Sequence, residues 1–270
     1  MNRLGAIGLC LTLFLAVFSG PLACAQAVDG PIETGFLNRT IELNGSTHRY
    51  QVYVPQGYTP ESEWPIILFL HGAGERGTDG LLQSQVGLGS AIRKHVDRWQ
   101  AVVVMPQVPV QQTWQAGPGE VAIAALDASI AEFSIDRSRE YLTGLSMGGN
   151  GTWYLSSSFP DRFAAIAPIC AYVMGGGSFP AIFPETEPEE RYAHLASVLK
   201  DVPTWIFHGD ADPVVSVTES QRMNAEFEKI GANVHYTELP GVGHNAWDDA
   251  YDNLEFIDWL FSQRKQKTNL

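Results

Sequence analysis

Four stretches of this chain are apolar at nearly every consecutive position instead of at alternate ones: "WPIILFL" (64–70), "AVVVMP" (101–106), "FAAIAPI" (163–169) and "VPTWIF" (202–207). A strand with one face in water alternates with period two, whereas a strand covered on both faces does not. These short runs therefore describe a parallel sheet layered between helices. "EYLTG" (140–144) and "NVHYTELP" (233–240) read as further strands, and residues 39–54 alternate around Asn44-Gly45, a strong hairpin signal. Helical spacing falls between the strands, at Ile123, Leu126, Ile130 and Phe133, at Met223, Phe227 and Ile230, and at Leu254, Ile257 and Phe261. The alternation predicts one α/β domain with about eight mostly parallel strands and helices on both faces. The Gly/Pro/Glu-rich "GGGSFPAIFPETEPEE" (175–190) interrupts it and marks an insertion around 171–198, either a mobile cover or a surface loop.

The domain is expected to occupy residues 28–270. Residues 1–27 carry Arg3, an apolar run from Leu4 to Phe18, a Gly20-Pro21 break and "ACAQA", the layout of a secretory signal peptide. The expected location is outside the cytoplasm, secreted or periplasmic. The run is short of the ~20 residues that span a bilayer, so no stable membrane insertion is expected after cleavage. Cleavage removes Cys10 and Cys24 and leaves Cys170 alone, without an internal disulfide partner. A formal net charge of −13 disfavours nucleic acid and anionic lipid. Arg264, Lys265 and Lys267 read as a solvated tail.

Two glycine patterns compete for the chemistry. "HGAGERG" (71–77) contains Gly72-x-Gly74-x-x-Gly77 after a strand, which also matches a dinucleotide-binding turn. The oxidoreductase this would imply needs a helix opening in the motif and an acid ending the next strand. Here a turn-rich "TDGLLQSQVGLGS" follows, and the next strand ends in proline and glutamine. That leaves a loop whose backbone N–H groups face an anion, which suits the oxyanion of acyl transfer. The second pattern, "YLTGLSMGGNG" (141–151), places Ser146 between Gly144 and Gly148 at a strand-to-helix turn. Such a turn exposes the serine at a helix N-terminus and aims the Met147 N–H at a developing oxyanion.

A serine needs a base, and the base needs a carboxylate. Of seven histidines, His244 in "LPGVGHNAWDD" follows the last strand in a glycine-flanked loop. His71 and His208 end strands on the same side of the sheet and are the nearest rivals. "FHGDADPVV" (207–215) offers Asp210 and Asp212 past a strand C-terminus, where open α/β sheets gather ligand groups. Asp212 is the choice, with Asp210 as turn-former or cap. The order Ser146, Asp212, His244 is nucleophile, acid, histidine.

On "LFLHGAGERG", "GLSMGGNGTW", "HGDADPVV" and "GVGHNAW", the chain resembles α/β-hydrolases over most of its length. More narrowly it is similar to small secreted esterases of the carboxylesterase/phospholipase-like, dienelactone-hydrolase-like or prolyl-oligopeptidase-like groups. The resemblance implies an oxyanion hole from the N–H groups of Met147 and Ala73, with Gly74 as alternative. Glu75 and Arg76 are expected to pin that loop as an ion pair.

These readings predict a serine carboxylesterase without cofactor or metal. Its partner is a small or polysaccharide-linked ester, such as a feruloyl or acetyl ester, with Trp114, Trp247 and Tyr172 as substrate contacts. A peptidase of prolyl-oligopeptidase-like type is the chief alternative; only a short segment precedes the first predicted strand, which leaves no room for a propeller domain. A non-catalytic binding protein is the remote one. Oligomeric state is not encoded in any motif.

Overall fold

The computed structural model describes residues 32–265, so the predicted signal peptide and Lys267 lie outside the described residues. Eight strands form one sheet: β1 (Gly35–Leu43), β2 (Ser46–Val54), β3 (Trp64–Leu70), β4 (Val102–Pro106), β5 (Ile135–Leu145), β6 (Ala165–Ile169), β7 (Thr204–Gly209) and β8 (Val234–Leu239). Their order across the sheet is β1-β2-β4-β3-β5-β6-β7-β8. The hairpin β1–β2 and the β2–β4 pair are antiparallel, and the remaining neighbours are parallel. Asn44 and Gly45 turn the hairpin with positive φ (52° and 76°), as the Asn-Gly signal requires.

The consecutive apolar runs are explained by two cores. Ile66, Leu68 and Leu70 of β3 face one core while Ile67 and Phe69 face the other; Val102 and Val104 of β4 are likewise opposed to Val103 and Met105. Helices α2 (Gly117–Glu132), α3 (Met147–Ser158), α4 (Arg191–Val198) and α5 (Thr218–Lys229) cover the first face. Helices α1 (Leu88–Lys94), α6 (Trp247–Asp252) and α7 (Leu254–Ser262) cover the second. Burying each large apolar side chain stabilises the fold by about 1.5–3 kcal/mol relative to exposure. The turn-rich segment after the first glycine motif ends at Gly87, at positive φ, and the short helix α1 begins directly after it.

The basic tail is not free. Arg264 Nη1 lies 2.7 Å from Asp136 Oδ2, and Lys265 Nζ lies 3.3 Å from Glu140 Oε1. Glu140 is fully buried, and Arg162 and Arg137 also reach it, so these cations neutralise an interior carboxylate.

The chain leaves β3 for β4 on one side and returns to β5 on the other. This reversal places a crevice at the carboxyl ends of β3 and β5, where α/β sheets bind ligands.

Candidate active site

Ser146 stands in that crevice between β5 and α3. Its backbone is held at φ 55°, ψ −114°, a conformation few non-glycine residues adopt. Its N–H donates to Ile169 O (2.8 Å), and its carbonyl accepts from Asn150 N–H (3.0 Å), starting α3. The flanking glycines are required by contact. A Cβ on Gly148 would overlap the Leu70 carbonyl and lie 2.7 Å from His71 O, and one on Gly144 would overlap the Gly148 carbonyl. The sharp turn exists because these three backbones touch.

His244 Nε2 is 2.9 Å from Ser146 Oγ, and His244 Nδ1 is 2.7 Å from Asp212 Oδ2. The geometry fits an Nδ1–H tautomer, with Nε2 free to accept from the serine hydroxyl. Asp212 has no exposed side-chain surface, and its Oδ1 accepts from Val214 N–H (2.8 Å) and Val215 N–H (3.0 Å). Burial opposes its ionisation, but the His244 hydrogen bond and the Val215 and Val214 N–H groups outweigh burial and hold the carboxyl below its ordinary pKa. Asp210 is exposed and accepts from Gly241 N–H (2.6 Å), bracing the loop that carries His244.

The two rival histidines are structural in their contacts. His208 donates Nε2–H to Val215 O (3.0 Å), with Asp212 Oδ2 3.2 Å away, and its Nδ1 accepts from Ser220 Oγ (2.7 Å). It backs the Asp212 turn. His71 accepts from Val108 N–H at Nε2 (3.0 Å) and donates Nδ1–H to Gly72 O (2.6 Å), joining the first glycine loop to the segment after β4. Burial pushes the His71 pKa down to about 4. Between pH 6.5 and 4 the unfolded chain therefore takes up a proton that the native His71 refuses, and stability falls as pH drops through that window. Urea unfolding of wild type and His71→Gln across pH 7.5 to 4 should show wild type losing up to about 3 kcal/mol more. Parallel curves would remove His71 as the cause.

The first glycine loop forms a 3-10 turn, Ala73–Glu75, on the wall of a cleft of about 640 Å³ that contains Ser146 and His244. Ala73 and Met147 both line it, and no backbone acceptor among the described residues takes either N–H. Trp247 stands edge-on to His244, ring centroids 5.4 Å apart, and Tyr172 packs edge-on to Phe179 at 6.0 Å; all three aromatic side chains border the cleft.

Two expectations require correction. Trp114 is fully buried and does not border the cleft. Its indole N–H donates to His71 O (2.9 Å), and its side chain packs on Gly151, where a Cβ would lie 2.6 Å from the Trp114 Cβ. It is a strut beneath the loop. Glu75 and Arg76 do not pair either. Arg76 Nε turns back to Ala73 O (2.9 Å), and its guanidinium lies 5.8 Å from the Phe179 ring centre. Glu75 turns the other way, lines the cleft, and has Oε2 buried without a hydrogen-bond partner.

The segment around 171–198 supplies Tyr172 and Phe179 to the cleft and is fastened at several points. Asn150 Nδ2 donates to Tyr172 O (3.1 Å), and Glu219 Oε2 accepts from Val173 N–H (2.7 Å) and Met174 N–H (3.3 Å). Gln115 Nε2 donates to Pro180 O (3.3 Å) and Ala181 O (3.2 Å). Glu219 is a site-forming residue that sequence reasoning missed; it sits in an ordinary amphipathic helix without a motif.

Donor atoms of Cys170, His208 and Asp212 lie within 4.8 Å of one another. The Cys170 thiol, pushed up to about 12 by burial, donates to His244 O (3.2 Å). Each of the three is thus already committed to holding the His244 loop or the Asp212 turn.

A thermostable esterase of known structure is 33% identical and superposes with a TM-score of 0.72, over 85% of this chain and 63% of that one. A ferulic acid esterase from the anaerobic fungus Anaeromyces mucronatus shares the fold, with a TM-score of 0.63 at 16% identity over 90% of this chain and 96% of that one. An uncharacterized secreted protein of Arthroderma benhamiae is 23% identical over 228 residues, 76% of this chain and 24% of that one. The chain thus spans about a quarter of the length of the fungal relative and less than two thirds of the thermostable esterase. Residues 110–265, which carry Ser146, Asp212 and His244, match the prolyl oligopeptidase family. With its eight-stranded sheet, helices on both faces and this sequence match, the chain is an α/β-hydrolase and belongs to the prolyl oligopeptidase family.

Proposed function

We propose that this protein is a serine esterase that acts outside the cytoplasm on carboxylic esters, including feruloyl or acetyl esters of carbohydrates. The observation that carries the reading is the hydrogen-bonded chain Ser146–His244–Asp212, at 2.9 and 2.7 Å, opening on a cleft with unaccepted N–H groups at Ala73 and Met147. Ser146 attacks the ester carbonyl while His244 takes its proton and Asp212 stabilises the imidazolium. The Ala73 and Met147 N–H groups hold the oxyanion, each worth about 10²–10³ in rate. The alcohol leaves with the proton from His244, and water then attacks the acyl-serine with His244 again as base.

Tyr172, Phe179 and Trp247 support an aromatic or sugar-bearing substrate, since flat apolar walls bind flat groups. The likeness to two esterases, one acting on ferulic acid esters by its name, points the same way. The leader pattern of residues 1–27 and the secreted fungal relative support export. The acidic chain favours an uncharged ester over nucleic acid as partner.

A second reading, peptide hydrolysis, is favoured by the family match alone. Esters are the easier substrate because an alkoxide leaves more readily than an amine. A fluorophosphonate probe should label Ser146, and p-nitrophenyl acetate should be hydrolysed while a proline p-nitroanilide is not. Labelling with cleavage of the anilide alone would transfer the assignment to a peptidase; no labelling at all would end both readings.

A further inference from the structure

Gln107, the first residue after β4, is the glutamine that stands where a dinucleotide-binding turn would need an acid. It is 7% exposed, and its amide is fully engaged with the first glycine loop. Nε2 donates to Glu75 O (3.1 Å) and to Asp79 Oδ1 (3.0 Å), and Oε1 accepts from Gly80 N–H (2.8 Å). The partners fix which way the amide faces, because a carbonyl only accepts and a backbone N–H only donates. The loop runs in contact with this amide: a Cβ on Gly77 would lie 2.8 Å from Gln107 Nε2. Beside it, Val108 O accepts from Gly77 N–H (2.9 Å).

These bonds bear on the loop at the place that matters for an oxyanion. Ala73–Glu75 is a single 3-10 turn, with the Ala73 N–H at its start and the Glu75 carbonyl, bonded to Gln107, at its end. A lone turn has no adjoining turn to hold its axis, so the point where its last carbonyl is tied sets the direction of its first N–H. The rest of the loop, "HGAGERGTDG" (71–80), is glycine-rich and lends little stiffness of its own. Asp79, the second partner of Gln107, is itself fixed: its Oδ1 also accepts from Leu81 N–H (2.7 Å) and Leu82 N–H (3.2 Å). His71 and Trp114 thus tie the start of the loop, and Gln107 ties the end of the turn to the segment beyond it. Gln107 does not border the cleft, so it acts on a reaction there through the loop.

We propose that Gln107 is a positioning residue for ester hydrolysis: its amide holds the Ala73–Glu75 turn so that the Ala73 N–H meets the developing oxyanion. This rests on the ester-hydrolase reading of the same cleft and adds to it a residue that touches no substrate. The expected signature is a loss in the chemical step with substrate binding kept, because the apolar walls of the cleft are untouched.

Two variants test it. Gln107→Met keeps the length of the side chain and removes all three hydrogen bonds. Gln107→Glu keeps the acceptor for Gly80 N–H, removes both donors and sets a second carboxylate against Asp79. A misplacement of about 1 Å in a catalytic group costs about a hundredfold, and loss of one oxyanion donor about 10²–10³. Both variants should therefore lower kcat for p-nitrophenyl acetate by about ten- to a hundredfold, with KM within about threefold of wild type. A trifluoromethyl ketone adds to Ser146 and sets its oxyanion on the same N–H groups, so its Ki should rise by the factor by which kcat/KM falls. Tyr141→Phe controls for lost stability alone: it removes a hydrogen bond to Gln263 O (2.9 Å), away from the cleft, and should leave kcat and Ki at wild-type values. Where Gln107→Met does not fold, Gln107→Glu carries the test; loss of the fold in both assigns Gln107 to stability and overturns the proposal. Wild-type kcat in a folded variant, or a fall in kcat without the matching rise in Ki, overturns it while the esterase reading stands. Failure of wild type to cleave the ester or to bind the ketone overturns both.

Discussion

Ser146→Ala should lower ester hydrolysis by about 10⁴-fold or more in kcat, with the folded far-UV spectrum unchanged. The size follows from what is lost on the proposed mechanism. Without Oγ, no acyl-enzyme forms, and His244 and Asp212 have nothing to activate but bulk water. What remains is binding and the Ala73 and Met147 N–H groups, which still favour a tetrahedral oxyanion. The same position makes a second, opposite expectation. Ser146 holds φ 55°, which costs a non-glycine residue about 1–3 kcal/mol. Ser146→Gly removes the nucleophile and that strain together, so it should be inactive yet unfold at higher urea than Ser146→Ala. Wild-type activity in either variant would remove Ser146 as nucleophile. A Gly variant less stable than the Ala variant would show that the turn is not strained.

Gly148→Ala should destabilise the fold by at least about 4 kcal/mol, a large part of the 5–15 kcal/mol that keeps a domain folded. The added methyl would be forced into the Leu70 carbonyl, with His71 O 2.7 Å away. Neither neighbour can yield easily. Leu70 is the last residue of β3, paired with Gly144 of β5, and both strands lie inside the sheet. Relief would require moving α3 off β3, which would open the core around Trp153. Gly117→Ala serves as the control, because nothing lies within 4 Å of a Cβ there. Urea midpoints should be near wild type for the control and far below it for Gly148→Ala. Equal midpoints would mean that α3 shifts freely and that the turn tolerates a side chain.

The fold was legible because burial on both faces leaves an unmistakable pattern. The run "WPIILFL" supplies Ile66, Leu68 and Leu70 to one core and Ile67 and Phe69 to the other, so no position could be polar. Gly144 and Gly148 were legible because contact between backbones permits no other residue. The chain order of Ser146, Asp212 and His244 was legible because strand C-termini share one edge of a parallel sheet. Trp114 was misread because a tryptophan in a Gln-rich loop looks solvent-facing, and nothing local reveals that its N–H caps the His71 carbonyl. Glu75 and Arg76 were misread because adjacency in sequence is not adjacency in space: consecutive residues of a helical turn point in different directions. Glu219 left no trace, since its partners are backbone N–H groups 45 and 46 residues away and the Tyr192 hydroxyl 27 residues away.

The fastening of the segment that carries Tyr172 and Phe179 has a bearing on how such a protein diversifies. Its anchors come from α3, α5 and the loop before α2, and Gln115 itself does not border the cleft. Inherited change in substrate preference is therefore open to residues that never meet a substrate. The side chains of Gln115 and Asn150 hold this segment and make no hydrogen bond to Ser146, His244 or Asp212, so a replacement there should act first on the aromatic wall.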